Sequence, residues 1–172
     1  MSATEEASTL WGAPAATIER AAPPEVVRAI DGAAFLAVLA LRRRVFDDEQ
    51  RIADASVTDR DDERSLHALA LLPGPAGRQP VGTGRLTLGF GGRGEALIAW
   101  VATLPEARGR GVGAATMRFL LAAADRAGSP TVVLSAQTHA EGFYRRLGFV
   151  RAGQPFVVKG IEHRWMARTG SR

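Results

Sequence analysis

The chain of 172 residues contains no cysteine, and lysine and tyrosine occur once each, as Lys159 and Tyr144. Without cysteine, disulfide bonds, thiolate metal sites and a cysteine nucleophile are all excluded. No apolar run approaches the ~20 residues of a membrane-spanning helix, and the acidic N-terminus is not followed by the apolar stretch of a secretory signal. We therefore expect a cytoplasmic protein with no membrane partner.

Charge and metal-ligating residues are also sparse or scattered. The formal net charge is +4 and is carried almost wholly by arginine, so arginine-rich codon usage and an anionic ligand both remain open as explanations. The arginines are scattered along the chain and the only aromatic cluster is small, so no nucleic-acid partner is predicted. Three widely separated histidines predict no metal site.

The remaining composition is that of one ordinary globular domain, with 46% hydrophobic and 23% charged residues. Residues 1–24 are rich in Ala, Thr and Pro and predict a loosely ordered N-terminal extension, which leaves 25–170 as the domain. Val26, Val27 and Ile30 indicate a first strand. Asp31 is placed to cap a helix that ends near Asp48.

The rest of the chain gives the order of the predicted elements. Arg42, Arg43 and Arg44 are expected to face solvent on the first helix. The acidic stretch 47–63 is either a surface that attracts a cationic amine or a solvated connection. Consecutive strands follow at 66–72, 81–90 and 96–103, with Trp100 and Trp165 of a later strand expected in the core. The later predicted elements are a helix at 111–127, a strand at 131–135, a helix at 140–147 and closing strands at 149–150, 155–158 and 163–167.

This order requires a parallel strand pair with a crossover helix. We therefore predict an α/β fold of the α+β mixed-sheet type, in which helices flank both faces of one mixed β-sheet.

A glycine-rich turn carries the strongest chemical signal. Arg108-Gly109-Arg110-Gly111-Val112-Gly113 lies between a strand and an Ala-rich helix, where glycine allows close approach and the helix N-terminus attracts anions. A P-loop is excluded because no Gly-Lys-Ser/Thr follows. A dinucleotide fingerprint fits the glycines, but the acidic residue expected about 20 positions later is missing.

The same turn meets the pattern Arg/Gln-x-x-Gly-x-Gly/Ala and resembles the GNAT N-acetyltransferases. The segment 137–149 resembles that family's Asn-x-x-Ala-x-x-x-Tyr-x-x-x-Gly-Phe motif, with Gln137 in place of Asn and with Tyr144 matching. Residues 41–50, together with Asp61 and His67, are similar to the ElaA-like branch. The likeness covers roughly 25–168.

The resemblance implies acetyl-CoA as the co-substrate, with no metal. Its pantetheine arm would pair with the fourth strand and its pyrophosphate would lie on the turn. The cofactor-binding residues implied are Val101, Ala102, Thr103, Arg108, Gly109, Arg110, Gly111, Val112, Gly113, Gln137 and Tyr144.

The reaction implied is direct attack of a primary amine on the thioester within a ternary complex. Tyr144 is the expected general acid, with packing against the cofactor as the alternative. An alkylamine has a pKa of ~10.4, so a base is needed at neutral pH. Glu49, His67 and His139 are the candidates, although His67 could be a satisfied strand residue and His139 could simply begin a helix.

Two other functions stay open at this point: a noncatalytic CoA-binding or interaction module of the same fold, and a nucleotide-dependent oxidoreductase. The acceptor, a small-molecule or peptide amine, is not identified by the sequence. A homodimer is a further expectation of the resemblance.

Overall fold

The structure is a computed structural model that describes residues 22–52 and 56–170. Nearly all of the predicted extension, 1–24, lies outside the described residues, as does Asp54 of the acidic stretch.

One eight-stranded sheet organises the domain, in the order β1-β2-β3-β4-β5-β8-β6 with β7 paired to β8. Its strands are β1 Glu25–Arg28, β2 Leu66–Gly74, β3 Gly77–Phe90, β4 Glu95–Thr103, β5 Thr131–Gln137, β6 Val150–Arg151, β7 Phe156–Val158 and β8 Ile161–Thr169. The helices are α1 Gly32–Arg42, a π-helix Arg43–Glu49, α2 Val112–Arg126 and α3 Glu141–Arg145, with short 3₁₀ turns at Asp62–Arg64, Pro105–Ala107 and Thr138–Ala140.

The predicted mixed sheet is confirmed. β4 and β5 are parallel and are joined by α2, whereas the other pairs are antiparallel. Because side chains alternate across a strand, neighbouring positions identify the two faces. A β-carbon added at Gly84 would meet Leu120 of α2, whereas His67 on the opposite face packs against Phe35 of α1, with ring centroids 4.9 Å apart.

The first helix begins as predicted and then changes from an α-helix to a π-helix. Asp31 accepts a hydrogen bond of 2.8 Å from the amide of Ala34, so it caps α1. The helix continues to the predicted end, but its last seven residues, Arg43–Glu49, have π-helical hydrogen bonding. The first strand is shorter than predicted, since it ends at Arg28 and Ile30 is 81% exposed.

A buried charge cluster corrects the prediction that Arg42 faces solvent. Arg42 is fully buried and donates to both carboxylate oxygens of Asp62 at 3.0 Å, while Arg85 donates to Asp62 at 2.9 Å. Arg85 also pairs with Asp59. Two members of the acidic stretch thus neutralise buried arginines, a role that neither reading of that stretch anticipated. Arg43 and Arg44 are exposed, as predicted.

Candidate functional site

A cleft opens where β4 and β5 separate. The two strands pair at Ala96–Val132 and Leu97–Val133 only, and β5 continues by pairing with β8. From Ile98 onward, β4 is hydrogen-bonded to β3 alone. The edge of β4 that faces β5 therefore presents peptide N–H and C=O groups without a strand partner over this stretch.

A β-bulge accompanies the separation. Thr83 pairs with Ala102 and Arg85 pairs with Ala99, so the single residue Gly84 of β3 faces Trp100 and Val101 of β4. Trp100 has a φ of 55°, a conformation that bulky residues rarely adopt, so surrounding contacts must hold it.

Those contacts come from the buried charge cluster and the π-helix. The Trp100 indole N–H donates to Asp59 at 3.0 Å, and the guanidinium carbon of Arg42 lies 4.9 Å from the ring centroid. Phe46 packs edge-on against the ring at 5.3 Å. Trp100 is only partly buried and lines the cleft, so the prediction that it packs in the core is wrong.

The glycine-rich turn closes one end of the cleft. Gly109 and Gly111 have φ values of 75° and 77°, so a side chain at either position would be strained. α2 begins immediately after Gly111, and its first amides have no partner within the helix. A β-carbon on Gly113 would lie 3.4 Å from the Phe143 ring, so the helix approaches α3 closely here. The turn can therefore accept an anion on backbone amides.

The cleft is a cavity of about 950 Å³. Most of the residues predicted for the cofactor line it, namely Val101, Ala102, Thr103, Arg108, Gly109, Gly111, Val112, Gly113, Gln137 and Tyr144. Arg110 is exposed and is not part of the lining. Among the base candidates, Glu49 and His139 line the cavity and His67 does not.

Glu49 and Arg108 form a bidentate ion pair at the cavity wall. The two Nη atoms of Arg108 donate to the two carboxylate oxygens at 2.7 and 2.6 Å. The hydrogen bond from Arg108 lowers the pKa of Glu49, and the same bond raises the pKa of Arg108. The carboxylate is therefore ionised at neutral pH, and its proton affinity is reduced while the pair persists.

Tyr144 is buried, with 9% of its surface exposed, between the rings of Phe143 and Phe149. Burial raises the pKa of its hydroxyl to about 12, because the phenolate would lose its hydration. The hydroxyl therefore keeps its proton throughout the physiological pH range and is available as a donor to the cavity.

His67 is buried in the charge cluster, with both ring nitrogens occupied. Its Nε2 lies 2.9 Å from the carbonyl oxygen of Asp62, and its Nδ1 lies 3.1 Å from Nη2 of Arg42. These partners assign the proton to Nε2, since a carbonyl only accepts and a guanidinium only donates. Burial lowers the pKa of His67, so the ring is neutral at pH 7.

Sequence reasoning missed an aromatic row beside the cleft. Trp165 lies between Phe90 and Phe156, at centroid distances of 6.3 and 6.0 Å, and Phe156 also stacks on His163. Trp165 is 37% exposed and lines the cavity, so its predicted core position is wrong. The spacing of His163 and Trp165 in β8 was the available signal, because alternate residues share one face of a strand.

Gln50 belongs to the stretch 41–50 that is similar to the ElaA-like branch, but no role was predicted for it. It precedes the undescribed residues 53–55, lines the cavity and accepts a hydrogen bond of 2.9 Å from the Gln137 side chain. This contact joins the end of the π-helix to the end of β5.

Among the helices of residues 22–52 and 56–170, none has the length and hydropathy of a membrane-spanning segment. Over the same ranges, no group of three or more His, Cys, Asp or Glu side chains is arranged to hold a metal ion.

Comparison with known proteins assigns the chain to a family. Residues 75–169, more than half of the chain, match the family model described as "Acetyltransferase (GNAT) domain". The uncharacterized N-acetyltransferase YjcF of Bacillus subtilis (strain 168) is 32% identical over 131 residues, which cover 74% of this chain and 87% of YjcF.

Solved structures agree in fold. An acyl-CoA N-acyltransferase from Pseudomonas aeruginosa superposes with a TM-score of 0.72 and 29% identity, covering 85% of this chain and 98% of that protein. Escherichia coli ElaA superposes with a TM-score of 0.71, covering 84% and 97%, and at 24% identity it supports the fold alone. With its diverging β4 and β5, its glycine-rich turn and this extent of similarity, the chain belongs to the GNAT acetyltransferase family and is an acyltransferase.

Proposed function

We propose that the protein is an acetyl-CoA-dependent N-acetyltransferase that acetylates a primary amine by direct attack within a ternary complex. The observation that carries the proposal is the continuity of the cleft: the unpaired edge of β4 leads directly into the turn 108–113 at the start of α2. An extended amide-bearing arm that ends in a pyrophosphate has complementary groups along this whole path.

The residues present fit that ligand. Val101, Ala102 and Thr103 would offer backbone hydrogen bonds to the pantetheine arm. Gly109 and Gly111 present backbone without a β-carbon, and the first N–H groups of α2 would donate hydrogen bonds to the pyrophosphate. When bound, acetyl-CoA supplies the activated acyl group.

Residues of the chain must accept a proton from the amine and donate a hydrogen bond or proton to the leaving sulfur. An alkylammonium with a pKa of ~10.4 must lose a proton near pH 7, which costs roughly 4–5 kcal/mol. Glu49 and His139 both line the cavity and are the proposed acceptors, directly or through water.

Tyr144 is the proposed donor to the leaving sulfur. Its pKa of about 12 exceeds that of a thiol, ~8.5, so a hydrogen bond from Tyr144 is favoured over full proton transfer.

Calorimetric titration with acetyl-CoA, CoA and NAD tests the ligand. We expect both CoA species to bind, NAD not to bind, and an Arg108→Ala, Gly111→Asp double variant to lose CoA binding. NAD binding without CoA binding would instead support a nucleotide-dependent oxidoreductase.

Turnover is then measured by thiol release over a panel of primary amines. The assay has no protein background, because the chain lacks cysteine. CoA binding without acetylation of any amine would favour the noncatalytic CoA-binding module and contradict the proposal.

A further inference from the structure

The ion pair between Glu49 and Arg108 joins the end of the π-helix to the glycine-rich turn. Glu49 is the last residue of the π-helix, and Arg108 is the first residue of the glycine-rich turn. Both Nη atoms of Arg108 are engaged by Glu49, and its Nε donates to the carbonyl of Thr103 at 3.3 Å. All three donor nitrogens of this guanidinium are thus directed at the protein's own acceptors.

Another anion could displace this carboxylate. The side chains of Arg108 and Glu49 are 46% and 34% exposed. An exposed ion pair of this kind changes an equilibrium constant by a factor of at most about five, so a competing anion needs little extra affinity to replace the carboxylate. A pyrophosphate carries about two negative charges and more acceptor oxygens than a carboxylate, so it is the stronger partner for a planar guanidinium.

We infer that Glu49 and the cofactor's pyrophosphate compete for Arg108, so that cofactor binding releases the Glu49 carboxylate into the cavity to receive the ammonium group of the acceptor. This inference rests on the proposed function and adds a coupling to it: the bound cofactor strengthens binding of the cationic amine. Because such coupling is reciprocal, a bound amine must also strengthen cofactor binding.

The chain contains a matched control pair beside the same turn. Arg44 and Glu106 form an ion pair at 3.1 Å, and both side chains are exposed. Glu106 also acts electrostatically on Arg108, so Glu106→Gln likewise removes a negative charge beside the turn but leaves the guanidinium of Arg108 paired with Glu49. Glu106→Gln therefore separates general charge effects from release of Arg108.

The experiment is calorimetric titration of CoA and of pantetheine, which lacks the pyrophosphate, into the wild type, Glu49→Gln and Glu106→Gln. We expect Glu49→Gln to bind CoA ~2- to 5-fold more tightly, with pantetheine unchanged and Glu106→Gln closer to the wild type. In an Arg108→Ala background, Glu49→Gln should have no effect. Glu49→Asp, which keeps the charge but shortens the reach, should fall between.

Equal or weaker CoA binding by folded Glu49→Gln, or a gain that persists without Arg108 or appears equally with pantetheine, overturns the inference while leaving the proposed function intact. A folded wild type that does not bind CoA would overturn both proposals. The circular dichroism spectrum of each variant establishes that it is folded.

Discussion

Two arginine–carboxylate sites in this protein have the same chemistry and opposite surroundings. The pair of Arg42 and Asp62 is almost fully buried, and each member has a further hydrogen bond, from Arg42 to His67 and from Arg85 to Asp62. The pair of Arg108 and Glu49 lies at the cavity wall, with a third to a half of each side chain exposed. Removing one member of a buried pair leaves a charge that water cannot reach, whereas an exposed pair can exchange partners at little cost. The buried pair is therefore suited to holding the fold together, and the exposed pair is suited to exchanging one ionic partner for another.

The largest effect is expected from Asp62→Ala. It leaves Arg42 and Arg85 without their shared carboxylate, and breaking such a buried pair costs about 3–5 kcal/mol. Urea unfolding should show this loss. Asp61→Ala, which removes a partly buried carboxylate paired with the exposed Arg64, is the control and should cost no more than about 1 kcal/mol. Equal free energies of unfolding for the two variants would contradict the claim that the buried pair contributes more to stability.

Tyr144→Phe should reduce the rate of turnover without lowering the stability of the fold. Within the part of the chain that the structure describes, no hydrogen bond to the Tyr144 hydroxyl is present, so its loss should leave Tm and CoA affinity nearly unchanged. If the hydroxyl donates to the leaving group, kcat should fall ~10²-fold or more. Steady-state kinetics with a responsive amine measures this, and an unchanged kcat would restrict Tyr144 to packing.

The smallest effect concerns pH and His67. Burial lowers the pKa of His67, so below its ordinary value of ~6.5 the unfolded chain takes up a proton that the folded chain does not. Stability should therefore decrease as pH falls below ~6.5, and His67→Gln should weaken that slope. Unfolding free energies between pH 5 and 8 measure the effect. An identical slope in both proteins would indicate that His67 protonates equally in the folded state.

Local sequence predicted the elements of the site better than their arrangement. The turn 108–113, the start of α2 near Gly111 and the cap at Asp31 depend on neighbouring residues, so glycine spacing and capping chemistry were sufficient. The π-helix was not predicted, since it occupies a stretch whose apolar spacing reads as an ordinary helix. The bulge at Trp100 was missed because its contacts, Asp59 and Arg42, come from distant segments.

The sequence by itself determined the order of helices and strands, the mixed sheet and the glycine-rich turn, because each depends on periodicity or on backbone preferences within a few residues. Only the tertiary structure decided that Arg42 is buried, that β4 separates from β5 beside Trp100, and that Glu49 meets Arg108 across 59 positions of the chain. The physical reason is that burial and ion pairing depend on which surfaces pack together, and local patterning does not encode the partners of a charged side chain.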